Sequence, residues 1–138
     1  MEKVTLPKQI LTPNFIGSWI MNPLSICDEL ITYFESNQNK QKRGTSGVGK
    51  NLDIKNSIDI TVSPKEIKLP GNEVFEKYFH NLFSCYKDYV LQWPFLSVFP
   101  ENLQVGKFNL QRYQSGQHFH GMVVRNRVAT NVQLVQVW

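Results

Sequence analysis

His118 and His120 are the only close pair of histidines in this 138-residue chain. Imidazole is a common ligand of iron and zinc, so the stretch Phe108–Met122, which contains both residues, predicts a metal site with His118 and His120 as candidate ligands. Residues two apart point to opposite faces of a strand, and we therefore expect at most one of them to bind a given metal unless the chain bends there. No Asp or Glu follows Glu101, so no downstream carboxylate completes the site. Partly exposed histidines beside a turn are the alternative interpretation.

The other reactive side chains fall in predicted helices. His80 lies beside Phe79 in an apolar helical pattern and is interpreted as a boundary residue rather than a ligand. Cys27 and Cys85 form no spaced framework, and the N-terminus lacks the apolar segment of a signal peptide. We therefore predict buried thiols, no disulfide and a cytoplasmic location.

The segment Gly44–Lys50 resembles the start of a phosphate-binding loop, in which backbone N–H groups surround a phosphate and a lysine reaches it. Such a loop follows a buried strand and opens a helix. Here the preceding segment, Asn37–Arg43, is polar, a strand pattern follows, and Asn51 replaces the metal-binding Ser or Thr. We predict a flexible glycine-rich surface loop, with a nucleotide-hydrolysing enzyme as a further alternative.

Length and composition predict one folded domain, residues 1–138. Nine Phe, five Tyr and three Trp supply large side chains for a single core. The net charge of +4 comes from Lys and Arg residues that are spread along the chain apart from one cluster at 40–50, so we expect no nucleic-acid partner. No segment approaches the roughly 18 apolar residues that cross a bilayer, so we expect no membrane partner.

The first part of the chain predicts an extended arm and a helix. Phe15–Ile20 is a short apolar segment, and Asn22 followed by Pro23 is typical of a helix start. The apolar residues of this helix recur at three- and four-residue spacing: Leu24, Cys27, Leu30, Ile31 and Phe34. This pattern indicates an amphipathic helix that packs on a sheet.

The middle of the chain predicts a loop, a strand and a longer helix. The segment Ser36–Asn51 is polar and glycine-rich, which indicates a loop. In Ser57–Ser63 the apolar residues alternate, which predicts a half-buried strand. Aromatic residues at helical spacing then follow Pro70–Asn72 and continue to Trp93, where Pro94 ends the helix.

The C-terminal part predicts further strands. Val105–Tyr113 has strand character, with Gln111 and Tyr113 on the side opposite Leu110, and Gly116 closes it in a turn. The segment Val123–Trp138 is rich in Val and predicts another strand. The fold class is therefore α+β.

Three pieces of sequence resemble a known family when taken in order. They are Phe15–Trp19 with the helix Cys27–Phe34, the stretch Lys55-Asn-Ser-Ile-Asp59, and Phe108–Gly116 with Phe119. Together they resemble the iron(II)- and 2-oxoglutarate-dependent dioxygenases of the prolyl-4-hydroxylase-like group, especially small phage and marine bacterial versions. The resemblance covers roughly residues 13–122.

The resemblance implies a fold, two cofactors and one binding residue. The fold is a double-stranded β-helix, or jelly roll, whose first part is covered by N-terminal helices. A His-x-Asp/Glu pair and a distant His hold Fe(II) and leave positions for oxygen and 2-oxoglutarate, the cosubstrate partner. Tyr113, in the Tyr-x-x-Gly turn, corresponds to a residue that binds 2-oxoglutarate. The implied activity is hydroxylation of a protein or small-molecule substrate.

The chain departs from the family after Met122. Met122 and Val123 stand where the first metal-binding His is expected, and Arg125 stands near the place of the acid. We expect a frame shift or truncation there, an incomplete jelly roll, an atypical tail over 123–138, and little or no activity, with no residue assigned as catalytic. The alternative is a non-catalytic α+β protein-interaction module or remnant, whose open sheet edges would allow self-association.

Overall fold

The computed structural model describes residues 2–4, 15–47, 49–98, 104–120, 122–123 and 131–135. These residues form an α+β fold, as predicted, with two α-helices and short antiparallel sheets. The helices are α1 (Ser25–Ser36) and α2 (Glu73–Gln92). The strands are β1 (Glu2–Lys3), β2 (Trp19–Ile20), β3 (Lys42–Arg43), β4 (Ile58–Val62), β5 (Phe108–Tyr113), β6 (His118–Phe119), β7 (Met122–Val123) and β8 (Asn131–Val135).

The main sheet has four antiparallel strands in the order β3-β4-β5-β8. The predicted strands at Ser57–Ser63, Val105–Tyr113 and Val123–Trp138 are thereby confirmed as β4, β5 and β8, each shorter than its predicted segment. Two-stranded sheets join β1 to β2 and β6 to β7. The described strands form no closed barrel, so the sheet is one open layer with helices on one side.

One face of the sheet is apolar and packs against both helices. Residues directly opposite each other in an antiparallel pair share a face, and three such pairs lie here: Ile58 with Arg112, Ile60 with Leu110, and Val62 with Phe108. The buried cluster formed with α1 and α2 includes Phe34 and Phe75, which are both fully buried. We call this side the helix-covered face.

Arg112 joins the helix-covered face to α1. Its Nη1 lies 2.8 Å from Glu35 Oε1 and 2.9 Å from Glu35 Oε2. Its guanidinium also lies over the Phe34 ring, 5.1 Å from the ring centroid. The aliphatic stem is thereby covered while the charge is paired, which lets an arginine stand at the edge of an apolar layer.

Helix α1 corrects two predictions. It begins at Ser25 instead of at Pro23, and the Asn22–Pro23 peptide bond is cis. Its inward-facing residues are Ile26, Leu30, Tyr33 and Phe34. The apolar stripe that faces the core is therefore rotated around the axis of α1 from the predicted stripe. Leu24 is 65% exposed, and Cys27 is also exposed, so the prediction of a buried Cys27 thiol was wrong.

Helix α2 confirms the longer predicted helix. Asn72 occupies the N-cap and Trp93 the C-cap, as the flanking Pro70–Asn72 and Trp93–Pro94 indicate. Its buried residues are Val74, Phe75 and Cys85, while the aromatic residues of its second half are half-buried. The first half of α2 therefore carries most of the core packing.

Short elements occur where the sequence predicts irregular chain. The polar segment Ser36–Asn51 contains a 3₁₀ turn at Gln38–Lys40 and the edge strand β3, so the prediction of a plain loop was wrong there. In Phe15–Ile20 only β2 is extended into a strand, paired with β1. Across the described ranges, neither helix combines the length and apolar character needed to cross a bilayer.

The packing of Phe75 yields a stability prediction. Its ring centroid lies 4.7 Å from that of Tyr33 and 5.3 Å from that of Phe108. We expect Phe75→Ala to lower the free energy of unfolding by about 3–5 kcal/mol, because it leaves a cavity between both helices and the sheet. Phe83→Ala, at a half-buried position on the same helix, is the matched control. Equal losses in urea unfolding for the two variants would contradict this account of the core.

Candidate functional site

The other face of the sheet carries polar side chains. The same β4–β5 register places Asp59 opposite Gln111 and Thr61 opposite Asn109. Near the strand ends the polar residues are buried, with Asp59 6% and Gln111 3% exposed. We call this side the inner face. At this end the two strands are buried on both sides, apolar on one and polar on the other, which indicates that the polar side is built around specific contacts, while Thr61 farther along β4 is exposed.

Five residues of β4, β5 and the adjoining chain form a buried hydrogen-bond network on the inner face. We call them the inner-face cluster: Lys55, Ser57, Asp59, Gln111 and Tyr113. The Asp59 carboxylate lies at its centre and accepts three hydrogen bonds. The donors are Lys55 Nζ at 2.7 Å, Ser57 Oγ at 2.7 Å and Gln111 Nε2 at 3.1 Å.

Lys55 and Asp59 form a buried ion pair, with side chains only 5% and 8% exposed. Burying two charges is costly unless they are paired and further hydrogen-bonded. Here Ser57 and Gln111 supply the additional donors to the carboxylate. The Lys55 ammonium also lies 5.8 Å from the centroid of the Phe119 ring.

Tyr113 closes the network at the end of β5. Its hydroxyl donates to Gln111 Oε1 at 3.3 Å, and the residue is 1% exposed. Burial raises the pKa of the Tyr113 phenol above its usual value, a hydrogen bond with Ser57 acts in the opposite direction, and the nearby charge of Asp59 raises it further. Tyr113 is therefore protonated at neutral pH, and its single proton is held within the cluster.

Gly44 covers the cluster from the glycine-rich loop. Its backbone N–H donates to the Ser57 carbonyl at 2.9 Å. A Cβ atom at this position would lie 2.2 Å from Ser57 Oγ, closer than atoms can pack, and 3.1 Å from Asp59 Oδ1, a tight contact. The loop therefore lies on the cluster at a residue without a side chain. No helix follows the loop, as predicted, because the chain turns at 52–54 and then enters β4.

The two candidate metal ligands hold a loop in place beside the cluster. His118 Nε2 lies 2.9 Å from the Asp53 carbonyl oxygen. The His118 carbonyl accepts from the Asn56 N–H, and the His120 N–H donates to the Ile54 carbonyl, both at 2.7 Å. His118 is half-buried, whereas the His120 side chain is exposed. β6 ends at Phe119, so His120 lies beyond the strand that contains His118.

An iron centre does not fit the described residues. No group of three or more His, Cys, Asp or Glu side chains gathers anywhere in the ranges that the structure covers. His118 is already engaged with a carbonyl, and His80 is an exposed residue on α2. The backbone of Met122 and Val123 forms β7, and Arg125 lies outside the described residues. In the part of the chain that the structure describes, the contacts of His118 and His120 are with the loop at 53–56.

Tyr113, the residue that the resemblance assigns to 2-oxoglutarate, already has a hydrogen-bond partner within the cluster. A tyrosine that binds a carboxylate must donate its hydroxyl proton, and the Tyr113 proton is directed at Gln111. The neighbouring cation, Lys55, is paired with Asp59. Tyr113 is therefore hydrogen-bonded to Gln111, and Lys55 is paired with Asp59, within the inner-face cluster.

Sequence reasoning found some members of the cluster and missed others. Tyr113 was singled out, and Lys55, Ser57 and Asp59 were noted as a motif without a role. Gln111 was missed. The available signal was Asp59 itself, because a charged residue inside an alternating strand indicates a buried partner on the polar side.

The close approach of Gly44 gives a second prediction. We expect Gly44→Ala to lower the free energy of unfolding by about 1–3 kcal/mol, because the new methyl group meets Ser57 and Asp59 in a packed layer. Gly47→Ala is the matched control, since no atom lies within 4 Å of its added Cβ, and a change within about 0.5 kcal/mol is expected. Thermal or urea unfolding measures both. A Gly44→Ala variant as stable as Gly47→Ala would disprove the contact.

The candidate site is therefore a closed network with an ion pair at its centre, a glycine over it and a tyrosine at its end. It lies on the face of the sheet that the helices leave free. Comparison with known proteins finds no matching family model, no similar curated protein and no similar solved structure.

Proposed function

We propose that the chain belongs to the iron(II)- and 2-oxoglutarate-dependent dioxygenase family, and that its described residues form the helix-covered part of that family's jelly roll. One observation carries the proposal. The stretch Lys55–Asp59 and the stretch Phe108–Gly116, two of the pieces on which the resemblance depends, meet on adjacent strands in one buried network. Separate motifs of one family are expected to meet in this way.

The division of the sheet into two unlike faces supports the same proposal. A jelly roll encloses its interior between two sheets, so each sheet has an inner and an outer face. In this chain the outer face would be the one packed on α1 and α2. The inner face carries Asp59, Gln111 and Tyr113, all buried and polar. A single-layer α+β fold with an ordinary solvated face would place exposed polar residues along this whole face, whereas here the exposed pair is Thr61 with Asn109, away from Asp59.

The proposal includes little or no hydroxylase activity for this chain. The described ranges contain no cluster of metal-binding side chains, and Tyr113 is engaged with Gln111. The family activity, hydroxylation of a protein or small-molecule substrate with Fe(II) and 2-oxoglutarate, is assigned to forms that carry the His-x-Asp/Glu pair and the distant His. This chain would supply the scaffold of the family fold, to which the active members add those metal ligands.

We expect the purified 138-residue chain to form no succinate from 2-oxoglutarate above the protein-free background, in the presence of Fe(II) and ascorbate. The physical reason is that, in the ranges that the structure covers, His118 and His120 do not join a group of three or more metal-binding side chains. Succinate release, followed by mass spectrometry, is the measurement. An active dioxygenase of the same family checks the reagents, and His118→Ala with His120→Ala is the matched variant. Succinate formed by the wild-type chain and lost in that variant would disprove the inactivity.

The coding DNA tests family membership independently of activity. If the resemblance breaks because of a frame shift near Met122, another frame of the DNA beyond that codon should encode a His-x-Asp/Glu pair, a later His and further β-patterned segments. The measurement is the translation of the coding DNA beyond Met122 in its other reading frames. If no frame contains these residues, the family assignment is contradicted.

A further inference from the structure

The hydrogen bonds of the inner-face cluster all lead toward Asp59. Lys55, Ser57 and Gln111 donate to Asp59 directly, and Tyr113 donates to Gln111. A carboxylate accepts and does not donate, so each group that contacts Asp59 must donate to it. The side-chain amide of Gln111 therefore turns its nitrogen toward Asp59, at 3.1 Å. This orientation leaves the oxygen of the same amide at the opposite end, where it faces Tyr113.

The orientation of Gln111 decides what Tyr113 can do. The Gln111 oxygen accepts only, so the Tyr113 hydroxyl must be the donor in the contact at 3.3 Å. A phenol has one proton, and here that proton is used inside the fold. The raised pKa of Tyr113 is consistent with this geometry, since burial favours the neutral, proton-carrying form.

We propose that Asp59 and Gln111 are positioning residues that commit the Tyr113 hydroxyl proton to the fold, so that Tyr113 does not bind a carboxylate of 2-oxoglutarate in this chain. The inference rests on the proposed function only for the role expected of Tyr113. The hydrogen-bond relay itself stands on the geometry of the cluster. Lys55 fixes the direction of the relay, because the Asp59 oxygen that its ammonium contacts at 2.7 Å acts as an acceptor.

The relay also distinguishes Gln111 from its neighbours on the inner face. Asn109 lies on the same strand and face, but it is paired with Thr61 at an exposed position, with 2.7 Å between Thr61 Oγ1 and Asn109 Oδ1. An apolar residue of similar size at 109 leaves the cluster intact. The same change at 111 removes the acceptor of the Tyr113 proton and one donor to Asp59 while the ion pair remains.

The experiment is NMR on the full chain with tyrosine labelled at the Cζ carbon, with Tyr113→Phe used to assign the signal. In the wild-type protein we expect a slowly exchanging Tyr113 hydroxyl proton. Gln111→Met should speed that exchange by about fivefold, the factor that corresponds to one ordinary hydrogen bond, while Asn109→Leu leaves it unchanged. Backbone amides of β4 and β5 should exchange as in the wild type, which separates loss of the relay from general loosening.

Addition of metal-free 2-oxoglutarate provides the second measurement. We expect the chemical shift of the Tyr113 Cζ signal in the wild-type protein to stay unchanged. Sodium chloride at the same ionic strength is the control, and we expect no change there either. A shift that saturates with 2-oxoglutarate would overturn the proposal, and so would unchanged hydroxyl exchange in a folded Gln111→Met variant. The wild-type titration decides the matter even if that variant fails to fold. A coding sequence without the family's ligands would remove the family assignment and leave the exchange result in place.

Discussion

The antiparallel register between β4 and β5 is the constraint on which the rest of the structure depends. It places Ile60 opposite Leu110 under the helices and Asp59 opposite Gln111 on the other side. Side chains alternate along a strand, so a slip of one residue would exchange the two sets. A carboxylate would then lie against the aromatic core, and an apolar pair would lie among the polar groups. Both the core and the candidate site therefore depend on one alignment.

The buried ion pair on the inner face is favourable only when both of its charges are present and hydrogen-bonded. Lys55 and Asp59 lie almost entirely out of water, where an unpaired charge is strongly unfavourable. The surface pair of Lys77 and Glu29 also has a short contact, 2.6 Å, but its side chains are 51% and 39% exposed. Solvent screens such a pair, and its contribution is about 1 kcal/mol or less. The inner-face cluster thus specifies geometry in a way that surface charges of this protein do not.

Local patterns in the sequence predicted the elements that carry strong local signals. Helix α2 was correctly placed because its aromatic spacing continues over many residues and Pro94 marks its end. Helix α1 was found, but its inward face was wrong, because Leu24 and Cys27 extend the apolar stripe on a side that tertiary packing leaves exposed. The edge strand β3 was missed because two polar residues become a strand only through pairing with β4.

Local sequence patterns also predicted the candidate site only in part. Tyr113 was identified through a resemblance, and the histidines through their chemistry. Gln111 has no chemical signature of its own, and its role follows only from the pairing that brings it opposite Asp59. His118 and His120 were chosen for their imidazoles, yet their hydrogen bonds fasten the loop around Ile54. Residue type predicts what a side chain is able to do, and long-range pairing decides which of those abilities is used.

Adjacent residues of β5 serve opposite layers, since Arg112 reaches Glu35 of α1 while Gln111 reaches Asp59. An insertion or deletion of a single residue within β5 would therefore break the clamp on the helix and the polar network together. No atom lies within 4 Å of a Cβ built on Gly47 or Gly49. A change in chain length is therefore expected to disturb the fold less beside these glycines than within β5.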